Sequence, residues 1–214
     1  RLVEWMGRTR QRPHTLVSAS AVGYYGEQGD QPVTEETPPT PGFTHQLCVA
    51  WEREAERAGA LGVRVCVMRI GVVLDRDGGA LAKMLPAFRL GGGGRLGTGR
   101  QYFPWIHRED MAAICEWLLD NPKARGAYNA SAPAPVTNAD FTSALGRALA
   151  RPTVVPVPAA ALKLLFGEMS ELLLVSDRML PTRLLEAGFK FRYPDLAPAL
   201  AAAVRTHEEA GRTV

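Results

Sequence analysis

Apolar positions fall into two textures along the first seventy residues. Leu2, Val3 and Met6 recur at helical spacing, Pro13 closes the connection that follows, and Thr15 to Ala19 is a short run that predicts a β-strand. Helical spacing returns at Leu47, Trp51, Ala55 and Ala58, predicting a helix from Phe43 to Ala58 that Gly59 and Gly62 stop. Val63 to Ile70 is rich in β-branched residues, the texture of a strand buried on both faces of a parallel sheet. Strand, helix and strand in close succession predict a doubly wound α/β layer with right-handed crossovers. The stretch 27–42, rich in Pro, Thr, Gly and acids, reads as a surface loop.

Beyond Leu74 the texture changes. An Asp/Gly turn at 75–79 leads into a helix near Ala80 to Leu90, then a tract of four glycines (Gly91 to Gly94), Phe103 to His107, and a helix from Arg108 to Asp120. Ala127 to Asn129 predicts a strand, and Thr137 or Asn138 is placed to cap a helix running to Ala150. From Arg151 the pattern gives Pro-punctuated helices at 158–166, 168–175, 181–187 and 194–209, with an extended piece from Phe189 to Tyr193. The expected division is therefore an α/β layer over 1–150, with cleft insertions at 75–105, and a mostly helical lobe over 151–214.

Composition narrows the function classes. With 46% hydrophobic and 22% charged residues and a net charge of +3, the 214-residue chain is ordinary for a globular protein. Arg stands beside Glu through much of it, leaving no basic stripe to neutralise a phosphate backbone, so nucleic acid is not an expected partner. Cys48, Cys66 and Cys115 are too scattered to frame disulfides or space a metal site, which fits a reducing cytoplasm. No apolar run approaches the ~20 residues that span a bilayer, and the opening has no signal-peptide core. A first residue that is Arg, in what reads as mid-helix, suggests a fragment.

Candidate chemistry concentrates at Ser18-Ala19-Ser20, where the first strand ends, followed by Tyr24, Tyr25 and Gly26. A hydroxyl there either polarises a substrate oxygen or bonds its own turn. Arg69 either serves the site or is buried against a carboxylate, and His107 stands either at a cleft rim or in a structural role. Asp110 reads as a first-turn acid favoured by the helix dipole. The four glycines follow a helix, so they read as a helix end and loop, not as a strand-to-helix phosphate cradle. Trp51, Trp117 and the Leu/Phe stripes of 162–174 read as core.

These residues resemble the extended short-chain dehydrogenase/reductase superfamily. Counting back from Glu52, however, Thr44 and Cys48 occupy the positions of its Tyr-x-x-x-Lys pair, and neither replaces a tunable phenol or a fixed positive charge. Four ordered motifs, Phe43 to Glu52, Arg69 to Leu74, Gly97 to Asp110 and Asn129 to Asn138, together with the segment Pro156 to Leu200, resemble the atypical epimerase-like branch of the NAD-dependent epimerase/dehydratase family. That branch is usually labelled an NADP-dependent oxidoreductase and sometimes a cell-division-inhibitor homologue.

The resemblance implies a Rossmann-type sheet whose first strands and Gly-rich pyrophosphate turn are missing here, so that this stretch alone binds dinucleotide poorly. It implies that Ser20 polarises the reacting oxygen, with Tyr24 or Tyr25 moving the proton. Arg1, Ser18, Ala19, Thr44, Ile70, Gly71 and Val72 fall beside NADP, with NAD left open, and Gly94, Arg100, Phe103, Trp105 and His107 shape the pocket of a small substrate. Phe103 replaces an Arg that grips the diphosphate in sugar-nucleotide epimerases, which argues against such substrates. The alternative is a non-catalytic NADP(H)-binding sensor or scaffold; a homodimer is open in either case.

Overall fold

The computed structural model describes residues 1–154, 156–157 and 175–204. The helices expected at 158–166 and 168–174, and the last helix beyond 204, lie outside these residues; Val175 is not helical. At the centre is a parallel three-stranded sheet of β1 (Thr15–Ala21), β3 (Arg64–Ile70) and β7 (Gly126–Ala130), in the order β1-β3-β7. Its two faces follow from side-chain alternation along each strand. Val17, Cys66, Met68 and Tyr128 pack against Ile114 and Leu118 of α4 (Arg108–Asp120), while Leu16 and Val65 pack with Met6 of α1 (Leu2–Arg8) and with Ala58. The sequence-predicted α/β layer is this sheet, with α2 (Phe43–Glu56) connecting β1 to β3.

Local chemistry sets the element ends. The side chain of His107 caps α4 by accepting the Glu109 N–H at 3.3 Å. Thr137 and Asp140 form a capping box at the start of α5 (Asn138–Ala148). Helix α3 (Gly79–Arg89) ends just before Gly91, whose φ of +77° is the left-handed conformation that closes helices.

Gly71 is the pivot of the sheet. After β3, whose partner is β7, the chain continues as β4 (Val72–Leu74) and pairs instead with β6 (Trp105–His107). A Cβ at Gly71 would stand 2.9 Å from the Pro104 carbonyl oxygen, so the change of partner requires glycine. The short antiparallel pair β5 (Tyr102–Phe103) and β8 (Val136–Thr137) flanks this crossing.

The stretch 27–42 differs from the loop expected of it. It contains β2 (Gly29–Val33), which pairs in parallel with β9 (Asp177–Met179) through an irregular register. After β9 come α6 (Thr182–Glu186) and α7 (Leu196–Val204). Leu196 and Leu200 of α7 share one core with Phe141 and Leu145 of α5 and with Leu81 and Leu85 of α3. Among the described residues no helix is long and apolar enough to cross a membrane.

Candidate functional site

A row of three polar side chains crosses the sheet near the carboxyl ends of its strands, because Ser20 is in register with Arg69 and Arg69 with Asn129. Helix α2 lays Glu52 over this row. The Ser20 hydroxyl donates to Glu52 Oε1 at 2.7 Å, and Arg69 grips the same carboxylate with Nε at 3.0 Å and Nη2 at 2.9 Å. Arg69 Nη1 donates to the Tyr25 hydroxyl at 3.1 Å, and that hydroxyl donates to Asn129 Oδ1 at 2.6 Å. Asn129 Nδ2 completes the chain by donating to the Leu180 carbonyl at 2.9 Å.

All five side chains are buried, and each has a partner. Burial opposes the Arg69 charge, but the hydrogen bonds and charges of Glu52 and Tyr25 outweigh it, so the guanidinium holds its proton more firmly than usual. Burial pushes the Tyr25 phenol up to about 12 against the pull of Arg69. Of the two sequence readings for Arg69, the structure displays the buried ion pair.

This arrangement changes the expected roles of Ser20 and the tyrosines. Ser20 was expected at the cleft wall, but its hydroxyl is committed to Glu52 inside the protein. Tyr25 is fully buried and bonded at both sides of its oxygen. Tyr24 is half-buried and carries the Arg69 guanidinium on its ring face, 3.3 Å from the centroid. None of the three lines the cavity described next.

That cavity, of about 300 Å³, opens where β1 ends and β4 begins, between α2, α3 and the Gln101–Pro104 segment. Ala21, Val22 and Val72 line it, with Thr44, Cys48 and Trp51 of α2, Met84 of α3, and Tyr102, Phe103, Val175 and Asp177. Ligands of open α/β sheets bind in such crevices outside the carboxyl ends of the strands.

Of the cofactor and substrate residues named from the sequence, Thr44, Val72 and Phe103 line the cavity. Phe103 also stacks on Phe141, with ring centroids 4.3 Å apart. The others are elsewhere. Arg1 is at the exposed start of α1, with its amino group 4.0 Å from Glu4. Ser18 and Ala19 lie within β1, and Ile70 packs on the α4 side of the sheet. Gly71 does permit a close approach, but the backbone that approaches is that of Pro104.

Gly94 is buried in the loop after α3 and Arg100 is exposed; neither touches the cavity wall. Trp105 belongs to the core of α3 and α5. His107 is buried as the cap of α4 and stacks on Tyr193 at 4.0 Å, and burial lowers its pKa, so its neutral ring accepts the capping bond. Asp110 lies in the first turn of α4 and also accepts the backbone N–H groups of Arg192 and Tyr193, at 2.7 and 2.9 Å.

Sequence reasoning missed Asp177. It is 3% exposed, lines the cavity, and has an Oδ1 without a hydrogen-bond partner among the described residues. Burial, reinforced by the negative charge of Glu27, raises its pKa from 3.8 to about 7. The one signal in the sequence is an acid inside Val175 to Leu180, where the flanking apolar residues predict burial.

Comparison with known proteins adds a family to this geometry. Residues 1–131 match the model of the NAD dependent epimerase/dehydratase family, and residues 157–203 match a domain of unknown function, DUF1731. The chain is 46% identical over 187 residues to the epimerase family protein Mb2239 of Mycobacterium bovis, an alignment covering 87% of this chain and 62% of that protein. The chain thus spans about three fifths of the length of the curated relatives it matches first.

Two solved structures are similar at 33% sequence identity. The human epimerase family protein SDR39U1 (isoform 2), crystallised with NADPH, superposes with a TM-score of 0.86 over 96% of this chain and 70% of that one. A nucleoside-diphosphate sugar epimerase from Corynebacterium glutamicum gives 0.75 over 98% of this chain and 42% of that one.

Proposed function

The chain belongs to the NAD dependent epimerase/dehydratase family, and from that premise we propose that it is an NADP(H)-dependent oxidoreductase or epimerase-like protein acting on a small substrate. The observation that carries this reading is the cavity at the carboxyl end of β1 and the start of β4, which a nicotinamide ring and a small molecule would share. Ala21, Val22 and Val72 line it with apolar side chains, which suit a reduced pyridine ring, and Thr44 adds a hydroxyl. The human relative crystallised with NADPH supports the choice of that cofactor.

A reduced dinucleotide bound there supplies a hydride. The chain's own residues position and shield the reacting groups. Trp51, Met84, Tyr102 and Phe103 exclude water from them. The buried row from Ser20 to Asn129 fixes the ends of β1, β3 and β7, so the wall beside it does not shift on binding. Phe103 at the wall, stacked on Phe141, offers no fork for a diphosphate, which supports a substrate other than a nucleotide sugar.

The second reading, a non-catalytic NADP(H) sensor, is favoured by Thr44 and Cys48, which put neither phenol nor ammonium on the wall. Reduced nicotinamide mononucleotide separates cavity binding from pyrophosphate binding. Trp51 emission is expected to quench saturably with it and with NADPH, while Ala21→Phe, which fills the wall, weakens both by about tenfold or more. No saturable response to either, or full binding by Ala21→Phe, overturns the proposal. NADPH consumption with any of a panel of small carbonyl compounds then separates enzyme from sensor.

A further inference from the structure

Among the described residues, the ionisable oxygen acids that line the cavity are the Asp177 carboxyl and the Tyr102 phenol. Among the described residues that line it there is no Lys, Arg or His, and the only carboxyl is that of Asp177. Asp177 is fixed by the pairing of β9 with β2, in register with Gly29, and its neighbour Ser176 is held by Glu27, whose Oε2 accepts the Ser176 N–H at 3.2 Å. Glu27 Oε1 in turn accepts the Gly29 N–H at 3.1 Å. The next residue, Arg178, does not line the cavity, and its guanidinium lies 5.5 Å from the ring centroid of Tyr102, which does.

Nothing described therefore neutralises a carboxylate at position 177, and its Oδ1 is shut off from water without a donor. A carboxyl so placed is stable in its acid form, which has an O–H to give. The same logic keeps some enzymatic carboxylic acids protonated so that they can donate a hydrogen bond.

We propose that Asp177 donates a hydrogen bond to the substrate in this cavity, and that the substrate is a small, uncharged, largely apolar carbonyl compound or the corresponding alcohol, with carboxylates and phosphates refused. The inference rests on the cavity reading given above and makes its substrate class specific. A reduced nicotinamide nucleotide bound there would supply the hydride to the carbonyl carbon; as the C=O π bond breaks, the oxygen would take the Asp177 proton, and the carboxylate would regain a proton from solvent once the cavity empties. In the reverse direction, Asp177 accepts the alcohol proton. An acid titrating at about 7, raised by burial and by Glu27, is suited to both at neutral pH.

Refusal of anions follows from the same wall. An anionic ligand would enter a site that has no cation among its described lining residues and would face a group that itself gains negative charge on ionising. A cavity of about 300 Å³ is also at the small end for ligand sites, which limits what remains beside a nicotinamide ring.

The test uses two isosteric probes, cyclohexyl methyl ketone and cyclohexanecarboxylate, titrated into the purified protein at neutral pH and followed by Trp51 emission. The ketone is expected to bind at least about tenfold more tightly than the acid. In Asp177→Asn, whose amide still donates but no longer ionises, the preference is expected to fall towards one. In Asp177→Leu, ketone binding is expected to be lost while circular dichroism stays native. A second readout needs no turnover: the 13C resonance of the Asp177 carboxyl, identified by its loss in Asp177→Asn, is expected to titrate near neutrality and to move when ketone is added.

Equal binding of ketone and acid by the unaltered protein, or an unchanged preference in Asp177→Asn, overturns the inference. Failure of reduced nicotinamide mononucleotide to bind while the ketone preference holds overturns only the cofactor reading. Nucleotide binding without the preference overturns only the role of Asp177.

Discussion

The row formed by Ser20, Glu52, Arg69, Tyr25 and Asn129 and the corner held by Asp177 are both buried and polar, yet they differ in completeness. In the row each group meets a partner, and the bonds join β1, α2, β3 and β7 to the segment after β9. At the corner an oxygen has none among the described residues, and the cavity lies beside it. Satisfied burial fixes structure, whereas unsatisfied burial leaves a group whose protonation responds to what enters. The residue types alone point the other way, since a Ser and two Tyr at a strand end look more like chemistry than a lone Asp inside Val175 to Leu180.

The largest effect that separates the two is expected from Glu52→Ala. It strands the Arg69 guanidinium in the interior, and removal of one partner of a buried ion pair costs about 3–5 kcal/mol. Urea or thermal unfolding measures it, and a loss below about 1 kcal/mol would mean that the row is not the closed unit described.

The next effect is on the slope of stability with pH. Asp177 binds its proton more tightly folded than unfolded, with a pKa of about 7 against 3.8. The folded state therefore holds the extra proton between those values, and stability falls as pH rises through them, by an amount on the order of 2–4 kcal/mol. Asp177→Asn is expected to remove that fall. Urea midpoints at pH 5 and pH 8 compare the two proteins, and identical slopes would contradict the assignment.

The smallest effect is expected from Ser20→Ala, a loss of about 1 kcal/mol for one hydrogen bond to a carboxylate that Arg69 still holds. Cofactor and ketone binding should be unchanged. If stability were unaffected while turnover vanished, Ser20 would have a direct part in the chemistry.

Much of the architecture was legible because it is written locally. The helix expected from about Arg108 to Asp120 forms over Arg108–Asp120, and the strand expected at 63–70 from its β-branched run forms over Arg64–Ile70. The strand at Gly29–Val33 was not, because a polar segment with glycine and proline becomes a strand only beside Asp177–Met179, a pairing that leaves no local pattern. The site divides in the same way. Motif position points to Thr44, Val72 and Phe103, which line the cavity. Ser20 was drawn to the cleft by its motif, whereas its fate depends on Glu52, one turn of α2 beyond Cys48. Asp177 had no motif, since an orphaned carboxyl is a property of surroundings that only the fold assembles.

The β2–β9 pairing also sets the order in which the molecule matures. The Ser176 hydroxyl reaches the Gly29 carbonyl across 147 positions of chain, so the wall bearing Asp177 docks onto a sheet made long before it during synthesis. Closing so long a loop adds only modestly to the entropy cost, which grows with the logarithm of length, but contacts of such high sequence separation slow folding. The crevice is thus finished last, and ligand capture reports the arrival of the tail.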